Sequence, residues 1–372
     1  MRYVPLKNAK EGMRLAQDMY DSLGRTLIGV NARITDYYIQ KLQEYGFDGI
    51  YIKDEFSEGI QLEPIISPQL RQEGISCVRN HDIDGCQKIA AQIVDEILGK
   101  GTISLDMTDL RSYDDYTYAH SVNVAVLSCI IGIGFELKGK CLIQLVSAAL
   151  LHDIGKTIIP PDIINKPGRL TPEEFQEIKK HPTISYELIK QRWDISAQVK
   201  NAVLFHHENV DGSGYPKGIK GDCQTQMTKI IHVADVYDAL TSKRPYKDPY
   251  SPSEASEYMM GGCGTLFDRT AVMKLLECVP LYPKGTDVVL SDGRKGIIYE
   301  NSGGYNLRPI VKLYENGELL DLTSNGNLNL VISETNEKEK TVSESYEKER
   351  LKMLEEVRKY EEAMALEKEE KN

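Results

Sequence analysis

The sequence predicts a mainly α-helical protein carrying a small α+β module at its N-terminus and a small β module near its C-terminus. Three observations predict this. Apolar residues recur at helical spacing from about residue 83 to 280. Residues 281–333 alternate β-branched residues with turn dipeptides. Residues 1–65 mix short extended runs with one capped helix.

The N-terminal module comes first, at 1–65. A hairpin is expected around Ser22-Leu23-Gly24-Arg25. Thr35 or Asp36 is placed to cap a helix running to Tyr45 and ended by Gly46, and GIYIKD (49–54) reads as a strand. Residues 66–99 read as a linker and connecting helix, with Pro64 and Pro68 before the amphipathic IDGCQKIAAQIVDEIL. Residues 100–280 form the helical domain. Within it, Thr171-Pro172-Glu173-Glu174 has the order of a helix start: N-cap, proline, then glutamate three after the cap. Residues 281–334 follow as a small β-barrel-like module or a meander sheet, with turns at Asp292-Gly293, Gly303-Gly304 and Asn316-Gly317. Residues 335–372 are rich in Glu and Lys and read as a solvated helical or disordered tail.

Composition narrows the function. A chain of 372 residues holds two or three domains. A net charge of -11 argues against a broad nucleic-acid surface, while a local basic pocket for a small phosphate ligand fits. The seven cysteines are dispersed without a CxxC pair, which fits a reducing cytoplasm. The N-terminus has no signal-peptide pattern. The apolar run VAVLSCIIGIGF (124–135) is shorter than the ~20 residues of a membrane span and reads as a buried helix. A cytoplasmic protein away from the membrane is expected.

The chemistry concentrates in the helical domain, which holds six of the seven histidines. His120, His152-Asp153, His181, His206-His207 and Asp235 lie at helix ends, helix entries or on helices. Lys156 follows His152 by four residues and Asp153 by three, so a continuing turn puts all three on one face. Asp235 and Asp238 share a face in the same way. His206 and His207 differ by ~100° around a helix. They can serve one site only where the helix ends, and the glycines after them place an end there. Imidazole and carboxylate without thiolate suit iron, manganese, zinc or cobalt. The ligand count exceeds one cation, and a shared Asp153 points to two, ~3.5–4 Å apart as in other two-metal hydrolases.

With HD at 152–153, HHE at 206–208, DGSGYP at 211–216 and ADVYDALTSKRPYK at 234–247, the chain resembles the HD-GYP family of phosphodiesterases over roughly residues 100–275. DYTYAHS with His120, HDIGK and KKHP with His181 stand in the family's order. The resemblance implies an HD-superfamily helical bundle that hydrolyses cyclic di-GMP to the linear dinucleotide pGpG or to GMP, some members preferring other cyclic dinucleotides. It assigns His120, His152, Asp153 and Asp235 to one cation and His181, His206 and His207 to a second, with Asp153 bridging. It makes Asp153 and Lys156 catalytic, with Lys156 on the scissile phosphate. It implies substrate contacts from Gly214, Tyr215, Pro216, Asp238, Arg244 and Lys247. Tyr116 stands where three-metal members carry a glutamate, so two cations are expected: iron or manganese, with zinc, cobalt or nickel as alternatives. Partner signalling proteins such as diguanylate cyclase domains, and a homodimer, belong to the same expectation.

Plainer readings stand beside these. Tyr215-Pro216 also reads as a rigid turn, Arg244 and Lys247 as surface charges, and Asp238 as an ion-pair partner. Glu208 reads as orienting a histidine or capping a helix. The loop glycines read as letting backbone approach a ligand. His81 and His232 read as structural. A phosphohydrolase for another nucleotide and a non-catalytic sensor are the alternative functions.

Overall fold

The computed structural model describes residues 1–20, 25–45, 47, 49–62, 64–100, 116–164, 166, 168, 170–242, 249–301 and 307–335, with Tyr116 and Thr117 as backbone. The expected tail, Gly303-Gly304, Arg244, Lys247, and the side chain of Tyr116 lie outside the described residues.

The N-terminal module pairs β1 (Arg2–Pro5) antiparallel with β4 (Gly49–Ile52), and β2 (Met19–Tyr20) with β3 (Thr26–Ile28). Between them α1 (Asp36–Glu44) starts at Thr35, whose hydroxyl accepts from the Tyr38 amide, as its position before the apolar run predicts. Val4, Leu15, Ile34, Leu42 and Ile50 close a small core.

The helical domain begins earlier than expected. Residues 66–99 form two bundle helices, α2 (Pro68–Arg79) and α3 (Ile83–Gly99), capped by Ser67 and Asp82. Leu70, Ile75, Val78, Ile89, Ile93 and Ile97 belong to the same core as the helices that follow. The Pro64/Pro68 signal marks helix entry here and not a free linker, because Pro68 occupies the first helical turn. Next come α4 (Tyr116–Gly134) and α5 (Gly139–Leu151), packed on each other, on α3 and on α10 (Gln226–Thr241). A 3-10 turn (Ile154–Ile158) leads through α6 (Pro161–Ile164) and α7 (Pro172–Ile178) to α8 (His181–Ile189) and α9 (Ala197–Phe205). The helix start at Thr171 is a reciprocal capping box with Glu174. The helices α11 (Pro252–Gly261) and α12 (Arg269–Cys278) complete the domain. The stretch Gly139–Ile158 has the length and apolar composition to cross a membrane, but 67% of it is buried inside this bundle.

The β module is one antiparallel sheet in the order β8 (Leu319–Asp321), β7 (Ile310–Leu313), β6 (Lys295–Glu300), β5 (Asp287–Leu290), β9 (Ile332–Thr335). Gly293 and Gly317, at the two predicted turns, take the left-handed φ values of 87° and 73° that favour glycine. Among the described residues the sheet has β8 and β9 as its edges, and β5 to β8 pair in chain order, so of the two expected forms it is the meander sheet and not the barrel. The two end modules are also joined. Tyr3 donates its amide to the Gly285 carbonyl at 3.0 Å, and Arg2 bridges Asp54 (2.5 Å) and Asp287 (2.9 Å). Ile297 packs with Tyr3, Tyr51, Ile60 and Leu62. The N-terminal α+β module and the β module thus pack on each other. Contacts between residues so far apart in the chain leave no trace in local periodicity.

Candidate metal centre

Helix geometry aims most of the histidines. His152, His181 and His206 each donate Nδ1–H to the carbonyl three residues earlier, those of Ala149, Ile178 and Val203, at 2.7, 2.7 and 2.8 Å. That bond sets the tautomer and leaves each Nε2 as a bare lone pair pointing inward. The three rings come from the end of α5, the start of α8 and the end of α9. Gly155 makes this approach feasible. A Cβ there would lie 2.4 Å from the His181 carbonyl oxygen and 2.7 Å from the Ser185 nitrogen.

Asp153 sits between the rings. Its Oδ1 lies 3.1 Å from His181 Nε2 and 3.8 Å from His206 Nε2. Its Oδ2 lies 2.5 Å from Lys156 Nζ, 3.3 Å from His152 Nε2 and 3.6 Å from His120 Nε2. Burial opposes its charge. His152, Lys156 and His181 outweigh that and hold its carboxyl well below the usual range. Asp235 on α10 is held ionised in the same way against burial, first by His120. It lies 2.9 Å from His120 Nε2 and 3.6 Å from His207 Nδ1.

Protein atoms alone leave this cluster unsatisfied. His152 Nε2 and Asp153 Oδ1 are buried without a hydrogen-bond partner. His181 Nε2 and His206 Nε2 face each other at 3.1 Å, although both rings already spend their Nδ1–H on backbone. Two lone pairs so close repel unless a cation lies against them. Burial, then the neighbouring rings, hold His206 and His207 well below the usual imidazole value, which keeps their nitrogens available as ligands. Two groups can hold a metal ion and share Asp153: His120 with His152, and His181 with His206 and His207. A third grouping joins His152 and His206 to Asp235. All seven residues singled out as ligands by the sequence therefore meet in one cluster.

Several expected roles change. Asp238 is fully buried. It lies 2.6 Å from His120 Nδ1 and accepts from Asn123 Nδ2 at 3.0 Å, so it faces the bundle interior and not a ligand. A pairing partner on another helix decides this, which helix spacing cannot reveal. Glu208 neither orients a histidine nor caps a helix. Its carboxylate accepts the backbone amides of Lys217, Gly218 and Ile219 at 2.7, 3.0 and 3.0 Å, and so pins the exit of the 211–216 loop. Gly214 serves the fold of that loop. A Cβ there would sit 2.3–2.5 Å from the backbone of Asn209, His207 and Glu208. Tyr215 stacks on the His207 ring, centroids 4.7 Å apart, and the Tyr215-Pro216 peptide is cis. Lys179, which the sequence reading passed over, lies over the same tyrosine ring at 5.3 Å. His232, read as structural, donates to the His206 carbonyl at 2.9 Å.

The HD domain family matches residues 113–271, the segment that builds this cluster and its DGSGYP loop. This segment is an HD-GYP domain. The chain is 37% identical over 229 residues to a cyclic di-GMP phosphodiesterase of Pseudomonas aeruginosa, covering 60% of this chain and 55% of that protein. It is 45% identical over 130 residues to a cyclic di-GMP phosphodiesterase response regulator of Xanthomonas campestris, covering 35% and 34%. It is 34% identical over 168 residues to a 3'3'-cGAMP-specific phosphodiesterase of Vibrio cholerae, covering 45% and 36%. The chain thus spans about half or less of the length of these relatives.

Proposed function

We propose that this chain is a metal-dependent phosphodiesterase that hydrolyses cyclic di-GMP to pGpG or GMP. The observation that carries the reading is the placement of Asp153, with Oδ1 toward His181 and His206 and Oδ2 toward His152, His120 and Lys156. One carboxylate between two histidine groups suits a pair of cations. His120, His152, Asp153 and Asp235 would hold one, and His181, His206 and His207 with Asp153 the other. Iron or manganese suits these nitrogen and oxygen donors. Bound there, the cations would supply an activated water and neutralise charge at a phosphoryl group.

The chain's own residues do the rest. Asp153 stays ionised in the buried site and can orient a water between its neighbours. Lys156, with 21% of its side chain exposed, can turn its ammonium from Asp153 to a phosphoryl oxygen. Tyr215 and Pro216 wall the pocket, with Tyr215 held by His207. Arg244 and Lys247 remain proposed contacts for phosphate or a guanine edge, for which a guanidinium fork is suited. The relatives named as cyclic di-GMP phosphodiesterases support this substrate. Likeness to the 3'3'-cGAMP-specific enzyme favours one second reading, a preference for that hybrid dinucleotide.

The test is to purify the protein anaerobically, count bound metals, and assay the same sample on both dinucleotides with product identification. Two metals per chain with release of pGpG or GMP is expected. A metal-loaded protein that cleaves only 3'3'-cGAMP would replace the substrate. One that cleaves neither would overturn the enzyme reading.

A further inference from the structure

His120 differs from the other inward-facing rings. His152, His181 and His206 are each aimed by the carbonyl three residues earlier in the chain, but His120 Nδ1 points to a carboxylate on α10, Asp238. Asp238 is itself held from α4, where Asn123 donates Nδ2–H to its Oδ1 at 3.0 Å. Ser242 adds a hydroxyl at 3.1 Å. Asn123 in turn is oriented from α2: Arg71 donates Nη1–H to Asn123 Oδ1 at 2.6 Å. Arg71 is only 8% exposed and Asn123 2%. A guanidinium taken out of water is costly unless it is hydrogen-bonded and near an opposite charge. Asn123 links this guanidinium to the Asp238 carboxylate, accepting from one and donating to the other. Because Asn123 accepts on one side, its NH2 must face Asp238, and the chain of bonds has one polarity.

From this geometry we infer that Arg71 is a positioning residue for the metal centre, acting through Asn123 and Asp238 to aim His120 Nε2 at the cation it shares with His152 and Asp153. The inference rests on the metal-centre reading above and extends it to α2, the first helix after the N-terminal module. Such partners behind a metal ligand typically contribute ~10–100-fold in metal affinity. The effect is confined to one cation, because the rings of the other group do not depend on this chain of bonds.

The test is titration of metal-free protein with Mn2+, following stoichiometry and the two affinities separately, on wild type, Arg71→Met and Arg71→Lys. Wild type is expected to bind two. Arg71→Met should keep one site at wild-type affinity and weaken the other by at least about tenfold. Arg71→Lys should recover part of that loss, since it keeps charge and a donor. If Arg71→Met does not fold, Arg71→Lys and Asn123→Leu carry the test, each weakening one site only. Two unchanged affinities in the folded variants, with only thermal stability lowered, would overturn the inference and leave the metal centre standing. A wild type that binds no Mn2+ would overturn the metal-centre reading itself, and the inference with it.

Discussion

His181 and His206 present their Nε2 atoms to each other across 3.1 Å, each with its Nδ1–H already bound to a backbone carbonyl. The arrangement is repulsive in the protein alone and becomes favourable with a cation against it. Metal binding should therefore stabilise the fold. At a free Mn2+ concentration 100 times its Kd, the gain is about 2.7 kcal/mol. For a domain of this size that is a rise in Tm of about 5–10 °C. Differential scanning calorimetry with and without chelator checks it, and an unchanged Tm would count against the site.

Asp153→Asn removes one anionic oxygen from between the two histidine groups. Loss of metal from both groups is expected, and kcat should fall at least about 100-fold, the loss typical of removing one electrostatic stabiliser. Elemental analysis of the purified variant separates this from a defect in one group alone.

Glu208→Leu removes the acceptor of the Lys217, Gly218 and Ile219 amides. Lys217 and Gly218 are exposed, so water can take its place there, and Ile219 is half-buried. Each lost bond contributes about 0.5–1.5 kcal/mol net. Urea unfolding should show a loss of about 1.5–4 kcal/mol. Glu208→Gln, which keeps the shape and two acceptor lone pairs, should lose less. If the loop contacts substrate as proposed, KM should rise more than kcat falls.

Gly214→Ala places a methyl group 2.3–2.5 Å from three backbone atoms of residues 207–209. The backbone cannot give way as a flexible side chain would. A destabilisation of about 1–3 kcal/mol is expected, together with weaker metal binding through His207. A variant with wild-type stability and metal content would show that the loop can move freely.

The metal-free protein should be most stable near pH 6.5. Burial first, then neighbouring charges, holds the pKa of His206 and His207 well below the ordinary value, and that of His181 lower too. The unfolded chain then takes up protons first. This contribution is full above about pH 6.5 and is lost as pH falls below it. His120 goes the other way: burial opposes its charge, but Asp235 and Asp238 raise it to about 9. Its contribution is full below about pH 6.5 and is lost between there and 9. Urea unfolding across pH 4–10 in chelator should give a maximum, and His120→Asn should flatten the alkaline side.

Much of the site was legible because helix ends announce themselves. His152-Asp153 closes an apolar helix, and His206-His207 precedes a glycine-rich loop. Such chain ends can direct side chains inward with only local help, as the three carbonyl-bound rings do. Glu208 and Gly214 were visible as residues but not in their roles. Both serve the loop's own backbone, and loop conformation has no period to read.

Local pattern along the chain was enough for the helical domain, the capped helices at Thr35 and Thr171, the turns at Gly293 and Gly317, and the set of clustered side chains that could hold a metal. These depend on neighbours within a few residues, where spacing sets direction. Tertiary packing alone decided that α2 and α3 belong to the bundle, and that the two end modules meet through Arg2 and Asp287. It also decided that Asp238 faces His120, with Arg71 behind it through Asn123. Those outcomes turn on which helices and strands lie side by side, and one-dimensional periodicity carries no information about partners.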